Sequence, residues 1–225
     1  MPYMIADFDG FIFDLDGTLL DSMGIWQRID RDWFAEKGLR APANLSGIFR
    51  SMTARQAADY VVRRFRVGLS AQEVLAEWER AAVEQYRSGA PLKPGAAALL
   101  AALRGAGKKC AIATSCFPAA CEAALAAQGL RAFFDAIVYS CEVRTASGSP
   151  ADKSGPEIWR AAARALGLPP RRCVVFEDLA EALRGARSAG MGFAAVYDPS
   201  CPDWPAFAAD ADYAFFSLEE ARYAP

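Results

Sequence analysis

Phe11-Ile12-Phe13-Asp14-Leu15-Asp16-Gly17-Thr18-Leu19-Leu20-Asp21-Ser22 is the part of the chain from which the fold is read. Its first three residues form an apolar run behind Gly10, the pattern of a buried strand. Asp14 and Asp16 stand at the carboxyl end, and a strand's period of two points both side chains the same way. Gly17 and Thr18 then turn the chain away. Open α/β sheets bind ligands outside the carboxyl ends of their strands, so chemistry is expected here. Two carboxylates this close repel, which raises one pKa. A bound divalent cation relieves that conflict, as does a division into nucleophile and proton carrier. Taken alone, the pair also reads as an acidic turn. Upstream, Asp7-Phe8-Asp9-Gly10 has the same shape but no following Thr, and reads as an N-terminal lead-in.

Composition narrows the chemistry. Hydrophobic residues make up 53% of the 225, enough for a packed core or a core with an insertion. No apolar run reaches the ~18 residues of a membrane span. The N-terminus is acidic rather than basic, so neither a secretory leader nor a membrane partner is expected, and the cytoplasm is the expected compartment. A net charge of −2 and a pI near 5.4 leave no electrostatic footprint for nucleic acid. The 6 cysteines are scattered without a C-x-x-C and read as free thiols, not as a disulfide framework or zinc site. The chain has 0 histidines. That excludes Ser-His-Asp and Cys-His catalysis and His-ligated zinc, leaving carboxylates, lysine, tyrosine or metal-bound water to move protons.

Between residues 22 and 88 the apolar positions follow helical spacing. Ile25, Trp26, Ile29, Trp33 and Phe34 mark one helix; Ala57, Ala58, Val61, Val62 and Phe65 a second. Ser70 with Glu73 forms a capping box opening a third, whose apolar face runs from Val74 to Tyr86. From residue 92 onward strands and helices alternate, with strands expected at 110–113, 136–139, 173–176, 193–197 and 213–216. Alternation of this kind means a parallel sheet covered on both faces. About 95 residues separate the first strand from the second, whereas a βαβ unit takes on the order of 30. The excess is the helical block, inserted over the carboxyl end of the first strand. The expected fold is therefore α/β: a Rossmann-like parallel sheet, residues 1–20 and 91–225, with an inserted all-helical cap domain, residues 21–90.

Polar groups tip three strands: Asp14/Asp16, Thr114/Ser115 and Glu177/Asp178, with Lys153 in the loop before the last of them. Three carboxylates on neighbouring strands make a hard, oxygen-rich site suited to Mg²⁺. A metal there offsets phosphate charge, lysine adds a point charge, and the Thr hydroxyl with backbone N–H groups donates hydrogen bonds.

The string Asp14-Leu15-Asp16-Gly17-Thr18-Leu19-Leu20-Asp21-Ser22 closely resembles the first signature of the haloacid-dehalogenase-like (HAD) phosphohydrolases. The run Phe176-Glu177-Asp178-Leu179-Ala180-Glu181-Ala182-Leu183 and its continuation to Met191 resembles their fourth, and the four motifs follow in order. The likeness is to the branch with a helical cap between the first two motifs, which includes β-phosphoglucomutase and sugar-phosphate phosphatases. It implies Asp14 as the nucleophile that becomes an aspartyl-phosphate and Asp16 as general acid/base. It implies Thr114, Ser115 and Lys153 as phosphate-binding residues. The Mg²⁺ set it implies is Asp14, Asp16 through its backbone carbonyl, Asp178, and Glu177 as ligand or support. The expected substrate is a small phosphorylated metabolite, a sugar phosphate first, handled by a monomer or weak homodimer.

The sequence departs from the family pattern in places. The lysine motif reads Asp152-Lys153-Ser154-Gly155-Pro156-Glu157 rather than G-K-P-x-P-D, and Leu179 and Ala182 replace the usual Ser and Gly. The histidine that assists β-phosphoglucomutases is absent, with Trp26 near its place, which favours hydrolysis over the alternative of a phosphosugar mutase. A non-catalytic sensor that keeps the fold is the other alternative. Substrate choice is expected from Trp26, Arg50, Met52, Thr53 and Arg55 in the helical block.

Overall fold

Phe11, Ile12 and Phe13 have no polar group to offer water, and they end in the middle of a sheet. The computed structural model describes Ile5 and residues 7–49 and 52–221; Arg50 lies outside the described residues. Strand β1 (Gly10–Phe13) is flanked by β2 (Lys109–Thr114) and β4 (Cys173–Glu177), both parallel to it. Strands β3 (Ala136–Tyr139), β5 (Gly192–Val196) and β6 (Tyr213–Phe215) extend this to a six-stranded parallel sheet of order β3-β2-β1-β4-β5-β6. It is Rossmann-like, and its order reverses between β1 and β4, which opens a crevice at their carboxyl ends.

A period of two divides each strand between the two faces. Phe11, Phe13, Ile112, Val174 and Phe176 belong to one apolar cluster, while Ile12, Ala111, Ala113 and Val175 belong to another. Both faces are apolar, so both need helices. Four helices, α1 (Met23–Glu36), α2 (Leu45–Phe49), α3 (Ala54–Phe65) and α4 (Ala71–Arg87), follow β1 ahead of the helix that leads into β2, with no strand among the described residues there. After them α5 (Ala96–Gly105) and α6 (Pro118–Ala127) cover the first face, and α7 (Glu157–Leu166), α8 (Ala180–Ala189) and α9 (Trp204–Asp210) the second.

The inserted helices join the rest of the chain at two places. Ile25, Ile29, Trp33, Val61, Val74 and Tyr86 run into the same cluster as the first sheet face, and α4 packs along α6. The two connecting segments also pair with each other: Asp21 N donates to Pro91 O at 2.9 Å and Lys93 N to Leu19 O at 2.9 Å. Lys93 Nζ is bound to buried Asp198 at 2.8 Å.

The Ser70/Glu73 capping box is present, and a second, Thr53/Gln56, opens α3. The short helices α2 and α9, of 5 and 7 residues, were not expected, because neither is long enough to show a helical period. Among the described residues no helix is long and apolar enough to cross a membrane.

Candidate active site

The parallel register brings the acidic tips together. Phe13 pairs with Phe176, so Asp14 emerges beside Glu177, and Asp14 N donates to Phe176 O at 3.0 Å. The carboxylates of Asp14, Glu177 and Asp178 each offer an oxygen within 4.8 Å of the others. Thr18 Oγ1 donates to Asp178 Oδ1 at 2.8 Å, with both side chains buried. Gly17 makes that approach possible: its φ is +83°, and a Cβ there would collide with the Asp178 carboxylate.

Lys153 reaches the same place from its loop. Its ammonium is ion-paired with Asp14 and lies 2.8 Å from Glu177 Oε2, all three side chains being buried. The loop is held from below. Asp152 Oδ1 accepts from Ser154 N at 2.8 Å and Gly155 N at 3.2 Å, and Trp159 Nε1 donates to Lys153 O at 2.9 Å. Helix α8 comes so close that a Cβ on Gly185 would strike the carbonyls of Lys153 and Gly155. The altered motif around Lys153 thus still delivers a rigid, buried cation.

Asp16 is turned elsewhere. Its Oδ1 accepts from Ser22 Oγ at 2.5 Å and from the hydroxyl of Tyr86 on α4. Its carboxylate is not part of the Asp14, Glu177 and Asp178 group. Burial, then the charge of Asp14, raises the Asp16 pKa against the two hydrogen bonds that lower it. On β2, Thr114 is buried, and its Oγ1 accepts from Cys116 N at 3.0 Å, which leaves the hydroxyl proton to donate. Ser115 is exposed at the same tip and receives a bond from Ser140 Oγ at 3.2 Å. Cys116 is buried close by, and burial drives its thiol pKa far above the usual value, so it is no nucleophile.

Asp14, Asp16, Thr114, Ser115, Lys153, Glu177 and Asp178 line a cavity of about 810 Å³, in the size range of small-molecule sites. Its far wall belongs to the helical block: Met23, Trp26, Gln27 and Asp30 of α1, with Phe49, Met52, Thr53 and Trp78. Trp26 and Thr53 therefore border the cavity. Arg55 does not: it is exposed and ion-paired with Asp59 at 3.1 Å, four residues along the outer side of α3. Sequence reasoning passed over Asp30 and Gln27, although their spacing from Met23 and Trp26, beside the Ile25/Ile29/Trp33 stripe, marks a second helix face. It assigned Tyr86 to an apolar stripe, which accounts for its ring but not for its hydroxyl.

The donor set suits a hard divalent cation. Burial and then Asp14 raise the pKa of Glu177 far above normal, and that of Asp178 to about 7. On Lys153, burial alone would lower the pKa, but Asp14 and Glu177 more than reverse this. Three buried carboxylates thus share one ammonium, an excess of negative charge that favours binding a cation. Asp14 Oδ1, buried beside Lys153, still has no hydrogen bond of proper geometry.

Known proteins resemble the chain along most of its length. A family model described as haloacid dehalogenase-like hydrolase matches residues 8–190. Hexitol phosphatase A of Escherichia coli (strain K12) is 33% identical over 213 residues, covering 94% of this chain and 92% of that protein. Fructose-1-phosphate phosphatase YqaB of the same organism is 27% identical over 188 residues, covering 84% of this chain and 96% of its own. The crystal structure of CbbY from Rhodobacter sphaeroides in complex with phosphate superposes with a TM-score of 0.79 at 25% identity, covering 94% of this chain and 95% of that one. With its motifs at the strand tips of a six-stranded parallel sheet, the chain belongs to the haloacid dehalogenase-like hydrolases.

Proposed function

We propose that the chain is a Mg²⁺-dependent phosphatase of small phosphorylated metabolites, sugar phosphates first, acting through an aspartyl-phosphate on Asp14. The observation that carries this reading is the convergence of Asp14, Lys153 and Asp178 at one crevice, with Thr114 on the adjacent strand. The two relatives above, named as phosphatases of a hexitol and of fructose 1-phosphate, support it.

In this reading an Asp14 oxygen attacks phosphorus and the bond to the leaving oxygen breaks. Asp16, whose pKa is raised by burial and by the charge of Asp14, gives a proton to the leaving group. Asp16 then takes a proton from the water that attacks the aspartyl-phosphate, releasing phosphate and restoring Asp14. Thr114, Ser115 and Lys153 hold the phosphoryl oxygens. Asp14, Asp178 and the backbone carbonyl of Asp16 would hold Mg²⁺, with Glu177 as a further ligand or in support; Glu177 anchors Lys153 and accepts from Leu179 N at 3.1 Å. Bound Mg²⁺ neutralises phosphate charge that the carboxylates would otherwise repel.

Residues 1–20 and 91–225 act as the catalytic core and 21–90 as a cap domain whose closure shields the intermediate from bulk water. The test is a panel of phosphorylated metabolites assayed for free phosphate with and without Mg²⁺. Release from at least one sugar or polyol monophosphate, dependent on Mg²⁺, is expected. If no monoester is turned over, the reading fails.

A further inference from the structure

Helix α1 presents two faces. Ile25, Ile29 and Trp33 enter the core, while Met23, Trp26, Gln27 and Asp30, at positions i, i+3, i+4 and i+7, line the cavity. Asp30 is the anomaly on that second face. It is half-buried, enough to push its pKa to about 6, yet it has no hydrogen bond or ion pair with any described residue. A carboxylate held this way costs stability and has no structural use in return. Such groups in clefts mark ligand contacts.

The charges around the cavity say which ligand. Its described cations, Lys153 and Arg184, both stand on the sheet side. Lys153 is committed to Asp14 and Glu177, and Arg184, exposed at the rim, donates to Ser154 O at 3.4 Å. On the helical wall the described polar groups are Asp30, Gln27, Ser46 and Thr53, set among aromatic rings such as Trp26 and Phe49, with no cation among the described residues. Ser22, which donates to Asp16, precedes Asp30 by eight residues, about 12 Å of helix. Asp30 therefore stands well away from the phosphoryl pocket, where the far end of a short carbon chain would arrive.

We infer that Asp30 is a specificity-determining residue, accepting hydrogen bonds from hydroxyls at the non-phosphorylated end of a neutral sugar or polyol monophosphate and repelling a second anionic group there. This rests on the phosphatase reading and narrows it. A carboxylate is a strong acceptor for hydroxyls. It also discriminates twice, since an analogue lacking the hydroxyl leaves it unpaired and a second phosphate meets like charge.

A matched six-carbon series tests this: sorbitol 6-phosphate, hexyl phosphate and sorbitol 1,6-bisphosphate, compared by kcat/KM for phosphate release in the parent protein, Asp30→Ala and Asp30→Lys. The parent is expected to favour sorbitol 6-phosphate over each of the others by at least about tenfold. Asp30→Ala lowers turnover of sorbitol 6-phosphate about tenfold, chiefly through KM, and leaves hexyl phosphate within about threefold. Asp30→Lys raises the bisphosphate relative to the monophosphate. Equal use of the bisphosphate by the parent overturns the inference while leaving the phosphatase reading standing. An equal loss on sorbitol and hexyl phosphates in Asp30→Ala overturns it as well, since that marks a purely structural role. No release from any monoester by the parent, hexyl phosphate included, overturns the phosphatase reading itself.

Discussion

Burial pushes the Asp30 carboxyl up from its ordinary value of 3.8 to about 6 in the folded chain. Between those values the folded state binds more protons, so this residue's contribution to stability falls as pH rises through the window. Asp30→Asn removes the titration. The variant should be more stable than the parent by about 2–3 kcal/mol at pH 7.5, with the difference gone below about pH 4. Urea unfolding at the two pH values measures it, and a variant less stable at pH 7.5 would mean that the carboxylate has a stabilising partner. That Asp14 stands at a strand tip was legible from the apolar run before it, and that Asp178 does so from the run at 173–176; the strand's period did not foretell that Asp16 turns away towards Ser22 and Tyr86. Asp30 and Tyr86 were not legible, because an amphipathic pattern separates apolar from polar faces and cannot tell a polar face on water from one on a cavity. Arg55 shows the same limit from the other side: its charge suited a substrate, but its helix turns it towards Asp59.

The loop carrying Lys153 depends on the two helices that follow it. Trp159 on α7 donates to the Lys153 carbonyl, and Gly185 on α8 lets the loop lie against the helix. Trp159→Phe keeps an apolar ring but leaves that carbonyl unpaired and a small gap, at a cost of about 1–3 kcal/mol. Thermal melting should show a drop of several degrees, and the inhibition constant of inorganic phosphate should rise several-fold as Lys153 loses its anchor. An unchanged phosphate constant would separate the helix from the phosphate site. The strands were readable as short apolar runs closed by glycine or polar tips, and the longer helices by their stripes. The three-residue turns at Arg131–Phe133 and Pro170–Arg172 and the helices α2 and α9 are too short to carry a period.

Across the molecule, one apolar cluster runs from the sheet through α6 and α4 into the inserted helices, and it surrounds a site carrying more carboxylates than cations. The fold thus holds charge that its own side chains do not balance, and Mg²⁺ should stabilise the whole chain. At about 100 times its dissociation constant the ion adds about 2.7 kcal/mol, a rise of several degrees in melting temperature. Asp178→Asn should lose most of that rise, as should the parent with a chelator present. The insertion itself was legible because its length exceeds any crossover; the substrate was not, since the cavity exists only once helices distant in sequence close over β1. The central claim is that Asp14 attacks phosphorus, and it is tested most directly by phosphate release from the best monoester of the panel by the Asp14→Asn protein, its fold verified by circular dichroism. The account predicts a fall of about a thousandfold or more; release within about tenfold of the parent would contradict it.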